Sequence, residues 1–287
     1  MNISKVNAVY FSPCSTTAQA VRTIAEKAAE ALGVPVQYYD FTLPKNRKDM
    51  TEFASDDLVI FGMPVYAGRI PNLILPIVQK CFRGNDALAV PVVTFGNRSY
   101  DNGLLELRNE LEKNGFHTVA GGAFVSQHAF TAKLASGRPD GDDKLFMADF
   151  AVKVAEKVRG MEVIPGPVAV PAKGQDKDNF TAAPVDREVG PYYRPLDEHD
   201  NPAMFLKAVP QTDVMKCSRC SICARVCPMG AISTKDVTVI IGTCIKCQAC
   251  VKRCPDKAKY FDDPVMLSHI SMIEKTFEER KESEIYF

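Results

Sequence analysis

Cys217-Ser218-Arg219-Cys220-Ser221-Ile222-Cys223-Ala224-Arg225-Val226-Cys227-Pro228 is followed, after a short spacer, by Cys244-Ile245-Lys246-Cys247-Gln248-Ala249-Cys250-Val251-Lys252-Arg253-Cys254-Pro255. One phrase is written twice: three cysteines two residues apart, then a fourth ahead of proline. That spacing is the bacterial run for ligating iron-sulfur clusters. Three close-set thiolates each reach one iron corner of a cubane, while the fourth points away and ligates the other cluster. The expected sites are therefore Cys217, Cys220, Cys223 and Cys254 for one [4Fe-4S] cluster, and Cys244, Cys247, Cys250 and Cys227 for the second. Structural zinc also takes four cysteines, but it favours two separated pairs and leaves the doubled Cys-Pro ending unexplained. Disulfides fit less well still, because Cys14 and Cys81 fall outside the pattern and no leader peptide is visible.

This block resembles the two-cluster bacterial ferredoxin, and the resemblance implies that family's pseudo-twofold symmetry. Around it, 287 residues suit two domains. Basic and acidic residues balance at 35 each, which removes any bulk electrostatic case for nucleic acid. No run approaches the roughly 18 apolar residues of a membrane span, and Met1 to Lys5 starts no signal sequence. A cytoplasmic, reducing and anaerobic setting is expected, since exposed cubanes are lost to oxygen. Charge is uneven along the chain. Residues 212–264 carry nine Lys/Arg against five Asp/Glu, whereas residues 161–211 carry five against eight. A basic cluster module suggests docking of an acidic electron partner, or lysines that merely solvate a small domain.

The amino-terminal half alternates strands and helices. Apolar strands are expected at Val6–Phe11, Val36–Phe41, Leu58–Gly62, Leu88–Phe95 and Val119–Val125. Between them run helices with Val21, Ile24, Ala25 and Ala28 inward, then Leu73, Ile74, Ile77, Val78 and Cys81, then Leu104 to Gly115. A closing helix buries Phe146, Phe150, Ala151, Val154 and Val158. Gly33 stops the first helix. This grammar gives an α/β fold, a doubly wound five-stranded parallel sheet, over residues 1–160.

Ligands of such sheets sit beyond the carboxyl ends of the strands. Hydroxyls gather there: Ser12, Ser15, Thr16 and Thr17, with Cys14 among them, at the mouth of the first helix, where free N–H groups and the dipole favour a phosphate. This loop resembles the Thr/Ser-x-Thr-Gly-x-Thr phosphate loop of flavodoxins, matching at Ser12 and Thr17 and departing at Cys14 and Ser15. Replacing the glycine with Ser15 removes easy access to positive φ. The resemblance implies FMN, sandwiched by two further loops: Pro64, Tyr66, Gly68 and Arg69 in the first, Gly96, Asn97, Tyr100 and Asp101 in the second. A phosphorylation receiver shares the strand order but places acids at strand ends, whereas Asp56 and Asp57 precede theirs. A flavodoxin-like domain without flavin is the other competitor.

Residues 127–141 form a loop much longer than such connections need. It is expected to be a lid over the flavin or the surface that meets the cluster module, with His128 as a candidate proton donor or a carbonyl-bound structural histidine. Cys14, near a helix start, is either reactive or simply packed; Cys81 belongs to the core. Residues 161–211 hold eight prolines between Val163 and Gln211, with a short helix expected at Asn201-Pro202, and read as a linker lying along the surface. In residues 265–287, Met266, Ile270, Ile273 and Phe277 form an apolar helical stripe that needs a surface.

Tyr66-Ala67-Gly68-Arg69-Ile70-Pro71, Phe95-Gly96-Asn97-Arg98 and Ser136-Gly137-Arg138-Pro139-Asp140 resemble recurring phrases of the flavodoxin–ferredoxin fusion proteins of anaerobes. That resemblance implies an electron-transfer protein coupling two [4Fe-4S] clusters to FMN, with a redox protein such as a soluble ferredoxin or flavoenzyme as partner. The alternative is a ferredoxin-dependent flavin reductase of a small organic molecule or quinone. No Gly-x-Gly-x-x-Gly occurs, which argues against a separate nicotinamide domain.

Overall fold

A computed structural model describes residues 1–47 and 49–287. Five parallel strands form its centre: β1 (Lys5–Tyr10), β2 (Val36–Asp40), β3 (Asp57–Pro64), β4 (Leu88–Phe95) and β5 (Gly121–Val125), in the spatial order β2-β1-β3-β4-β5. That is the order of flavodoxin-like doubly wound sheets. Strands β3 and β4 are buried almost throughout, as strands covered on both faces must be.

Helices α1 (Thr16–Leu32), α2 (Leu75–Cys81), α3 (Gly103–Lys113) and α4 (Gly141–Gly160) provide that cover. On α1 the fully buried stripe is Ala20, Val21, Ile24, Ala25 and Ala28, packed with Val6, Ala8, Leu58 and Ile60 of the sheet. Burying Val21 and Ile24 alone contributes about 1.5–3 kcal/mol each. The small residues set the spacing: a Cβ on Gly62 would lie 2.1 Å from Val21 Cγ2. Gly33, at φ 74°, ends α1 by donating its N–H to the Ala29 carbonyl at 2.8 Å. Asp140 and Asp143 cap α4 reciprocally, and Arg138 pairs with Asp143 in a buried bridge.

The linker lies along this half, as its tyrosines suggest. Val168, Val170 and Ala183 are buried in the sheet's second core. Tyr193 N–H donates to the Ala67 carbonyl at 2.8 Å and the Tyr192 hydroxyl to that of Ile70 at 2.8 Å. The helix expected at Asn201 is absent. Pro202 instead forms a bridge with Leu196, and Asp197 accepts from the Asn201 N–H at 2.9 Å, closing a turn that competes with helix formation.

The cluster module is framed by an antiparallel ladder of Gln211–Thr212 with Lys259–Tyr260 and by two short helices, α5 (Ile222–Arg225) and α6 (Ala249–Lys252). Helix α7 (Pro264–Thr276) follows, capped by the Asp263 side chain, which accepts from Met266 N–H at 2.8 Å. Its buried face is Met266, His269, Met272 and Ile273, rotated from the expected stripe so that Ile270 is only half-buried. His269 is admitted because a ring nitrogen meets the Leu196 carbonyl at 2.7 Å and Phe205 stacks on the ring. Met272 and Ile273 pack on Leu134 of the long loop, so α7 does rest on the amino-terminal half. The last strand, β6 (Glu284–Tyr286), joins the sheet antiparallel to β5, an edge pairing with no counterpart in the sequence reading.

Candidate iron-sulfur and flavin site

The repeat in sequence is a repeat in backbone. Arg219 and Ser221 in the first cysteine loop, and Lys246 and Gln248 in the second, all adopt left-handed conformations, with φ of 58°, 60°, 56° and 65°. Each turns the chain between successive cysteines of its phrase. The fourth cysteines repeat as well. Cys227 Sγ accepts from Ala231 N–H at 3.3 Å and Cys254 Sγ from Ala258 N–H at 3.2 Å, hydrogen bonds of the kind that tune cluster potentials.

Thiols from both phrases share a space. Cys227, Cys244, Cys247 and Cys250 line one cavity, closed by Pro210, Met229 and Phe261. Cys223 lies close to Cys217 and Cys254, and also to Cys250. Among the described residues no three ligand groups converge on a point that would hold a single ion. Burial pushes the Cys250 thiol up to about 12 and Cys247 well above its ordinary value, so loading with iron must drive the protons off.

The second cysteine loop sits on the mouth of β1 and α1. Cys14 Sγ donates to the Cys247 carbonyl at 3.0 Å, Arg253 Nη2 donates to Ser15 Oγ at 2.6 Å, and Lys252 Nζ donates to the His128 carbonyl at 3.0 Å. The Tyr66 hydroxyl lies among Cys247, Cys14 and Cys244; burial first, then those thiols, raise its pKa well above the ordinary value. Cys14 is packed and not activated: burial raises its thiol against the opposing pull of Lys252 and Arg253.

Residues 216–259 match the family profile of the 4Fe-4S dicluster domain. With the strand order above, this settles the architecture. The chain is a flavodoxin-like domain fused to a 4Fe-4S dicluster domain. It is thus an iron-sulfur protein of redox type. No curated protein sequence matches it. Among solved structures, the fusion is similar to rubredoxin:oxygen oxidoreductase from the anaerobe Desulfovibrio gigas (18% identity, 55% of this chain and 37% of that one, TM-score 0.39). It is also similar to a flavodoxin from the domain Archaea (12%, 54% and 99%, 0.36) and to the flavodoxin of Streptococcus pneumoniae TIGR4 (17%, 54% and 99%, 0.37). The fusion spans about a third of the length of the first.

The loop at the mouth of α1 fits a phosphate. Ser15 keeps the left-handed turn at φ 71° without glycine, and Ser12 Oγ accepts from Ala18 N–H at 2.9 Å, holding the loop on the helix. Among the described residues the N–H groups of Cys14, Thr16 and Thr17 have no protein acceptor, and Arg253 adds a positive charge beside them. Thr17 is turned away, its hydroxyl 2.7 Å from that of Thr94. Pro64, at the end of β3, leads into Tyr66, whose loop stays on this face.

The other residues expected around the flavin ring also make contacts within the chain. Arg69 makes a two-pronged bridge to Glu106, donates to the Gly190 carbonyl at 3.0 Å and stacks on Tyr192. Asn97, at φ 66°, donates to the carbonyls of Phe277 and Glu279 at 2.7 and 2.9 Å and accepts from Lys281 N–H at 3.1 Å. The Tyr100 hydroxyl bonds to Glu284 at 2.5 Å and to the Tyr286 hydroxyl at 2.7 Å, with its pKa raised by burial and these partners. Asp101 is held by Arg98 at 2.6 Å and fills the space that a side chain on Gly68 would need. Gly96 is a close-approach position for the His128 ring. The tail thus meets the amide of Asn97 and the hydroxyl of Tyr100, and the linker accepts from Arg69 at Gly190.

His128 lies beneath the dicluster domain. Its Nδ1 accepts from Phe130 N–H at 3.1 Å, and burial, with Lys252, His269 and Arg98 nearby, lowers its pKa to about 4. Its carbonyl accepts from Lys252 Nζ, so the long loop touches the dicluster domain. Among the described residues no helix is long and apolar enough to cross a membrane.

Proposed function

We propose that this protein is an electron carrier that couples its two [4Fe-4S] clusters to an FMN held at the Ser12–Thr17 loop, exchanging single electrons with a soluble redox protein. One observation carries the reading: the ligand loop of Cys247 rests directly on the loop at the mouth of α1, with 3.0 Å between Cys14 Sγ and the Cys247 carbonyl. A bound FMN would supply a centre that takes one electron or two, where cubanes take one. The N–H groups of Cys14, Thr16 and Thr17, with Arg253, would hold its phosphate. Tyr66, kept protonated by its surroundings, would supply an aromatic wall on the cluster side.

The reading as a carrier, and not a reductase of small molecules, is supported by the tail's hold on Asn97 and Tyr100 and by the pairing of Arg69 with Glu106 and of Asp101 with Arg98. Protein purified without oxygen should contain about eight irons, for two cubanes, and one FMN per chain. Stepwise reductive titration should then show all three centres exchanging electrons. Flavin absent from such material, and not taken up on adding FMN, would defeat the coupling.

A further inference from the structure

The two cluster sites differ in what surrounds them. The Cys227, Cys244, Cys247 and Cys250 site is turned inward: Met229 and Ile245 pack on the flavodoxin-like core, and Pro210 and Phe261 close the cavity. The Cys217, Cys220, Cys223 and Cys254 site is turned outward, with Cys220 exposed. Beside it Val214 and Met215 stand in solvent with 66% and 92% of their surface accessible. Exposed apolar side chains next to each other on a small polar domain are candidates for a contact surface.

Charge separates the same two faces. Lys246, Lys252 and Arg253 are used inward, on the Leu206 carbonyl, the His128 carbonyl and Ser15 Oγ. Lys216, Arg219 and Lys257 remain exposed on the outward side. The acids there are partly engaged: Asp213 pairs with Lys216 at 3.0 Å, Asp256 accepts from Ser218 N–H at 3.0 Å, and Asp236, near Arg219, accepts from Thr238 N–H at 3.0 Å. Such an exposed pair is weak and leaves Lys216 available to a partner.

We propose that Val214, Met215, Lys216 and Arg219, around Cys220, form the docking surface for a small acidic one-electron carrier protein, so that electrons enter and leave through the outward cluster. This rests on the reading of the protein as an electron carrier. One electron passes per encounter; the carrier is oxidised as this protein is reduced, or the reverse, and no atom is transferred. The apolar pair supplies the central contact and the cations steer the approach.

The test uses the complete, cluster-loaded chain and an acidic [2Fe-2S] ferredoxin, with Kd measured by calorimetry over a range of ionic strength. Binding should weaken with salt. The double variant Lys216→Glu/Arg219→Glu should raise Kd by roughly tenfold or more at low salt, and Met215→Ala by about threefold to tenfold. Lys153→Glu, on the far helix α4, should leave it unchanged. Iron content and the visible spectrum confirm that each variant is loaded. Equal affinity for the double variant, salt-independent binding, or equally tight binding of a basic cytochrome c would overturn the docking surface. A chain whose clusters accept no electrons from any reductant would instead overturn the carrier reading, which separates the two failures.

Discussion

Replacing Cys227 tests how the two cysteine phrases are shared between clusters. Cys227 closes the first phrase in sequence, yet its thiol lies in the cavity with Cys244, Cys247 and Cys250, while Cys254 neighbours Cys217 and Cys223. Each cubane carries four irons, so the intact protein should hold about eight and Cys227→Ala about four. Double variants sharpen this. Cys227→Ala/Cys244→Ala removes two ligands of one site and should still retain about four irons, whereas Cys227→Ala/Cys223→Ala damages both sites and should retain almost none. Pairing within each phrase reverses the two doubles. Iron and sulfide per chain, measured without oxygen, read the stoichiometry, and electron paramagnetic resonance of the reduced protein distinguishes one cluster from two interacting ones. Because metal binding is coupled to folding, circular dichroism should show the amino-terminal sheet intact in every variant. About four irons in the Cys227→Ala/Cys223→Ala protein, with none in the other double, would refute crossed ligation.

Two further outcomes follow from the interface. Asn97→Ala removes three hydrogen bonds to the tail at Phe277, Glu279 and Lys281 and places alanine at φ 66°. At about 1 kcal/mol per bond plus about 1 kcal/mol for the backbone, the tail should loosen by about 3–4 kcal/mol, read as faster amide exchange over residues 277–287 while β1 and β3 stay protected. His128 makes stability fall with acid. Its folded pKa of about 4 lies below the ordinary 6.5, so the unfolded chain takes up the proton first. The contribution is fully present above pH 6.5 and is lost as pH falls from there toward 4. His269, Lys252 and Arg98 press in the same direction, and Glu274 opposes. Denaturant midpoints of the wild type and His128→Gln should converge as pH drops through this window. A parallel pH dependence would remove His128 from the account.

The repeated cysteine phrase, the alternation of strands and helices and the stop at Gly33 are local facts. Spacing along a few residues decides whether thiols can share a cubane or an apolar stripe can face a sheet, and no distant partner is needed. The sheet and the dicluster domain were legible for that reason. Asn97, Arg69, Tyr100 and Asp101 look in sequence like loop residues of a flavin sandwich. Asn97 and Tyr100 also meet the tail, some 180 residues away, and Arg69 meets the linker at Gly190, contacts that nothing nearby in the chain announces. The same holds for β6 on the edge of β5 and for Arg253 at Ser15, separated by 238 positions. Which cluster faces inward was likewise decided by tertiary structure, because the two phrases are nearly identical and only docking against the flavodoxin-like core makes their surroundings unequal.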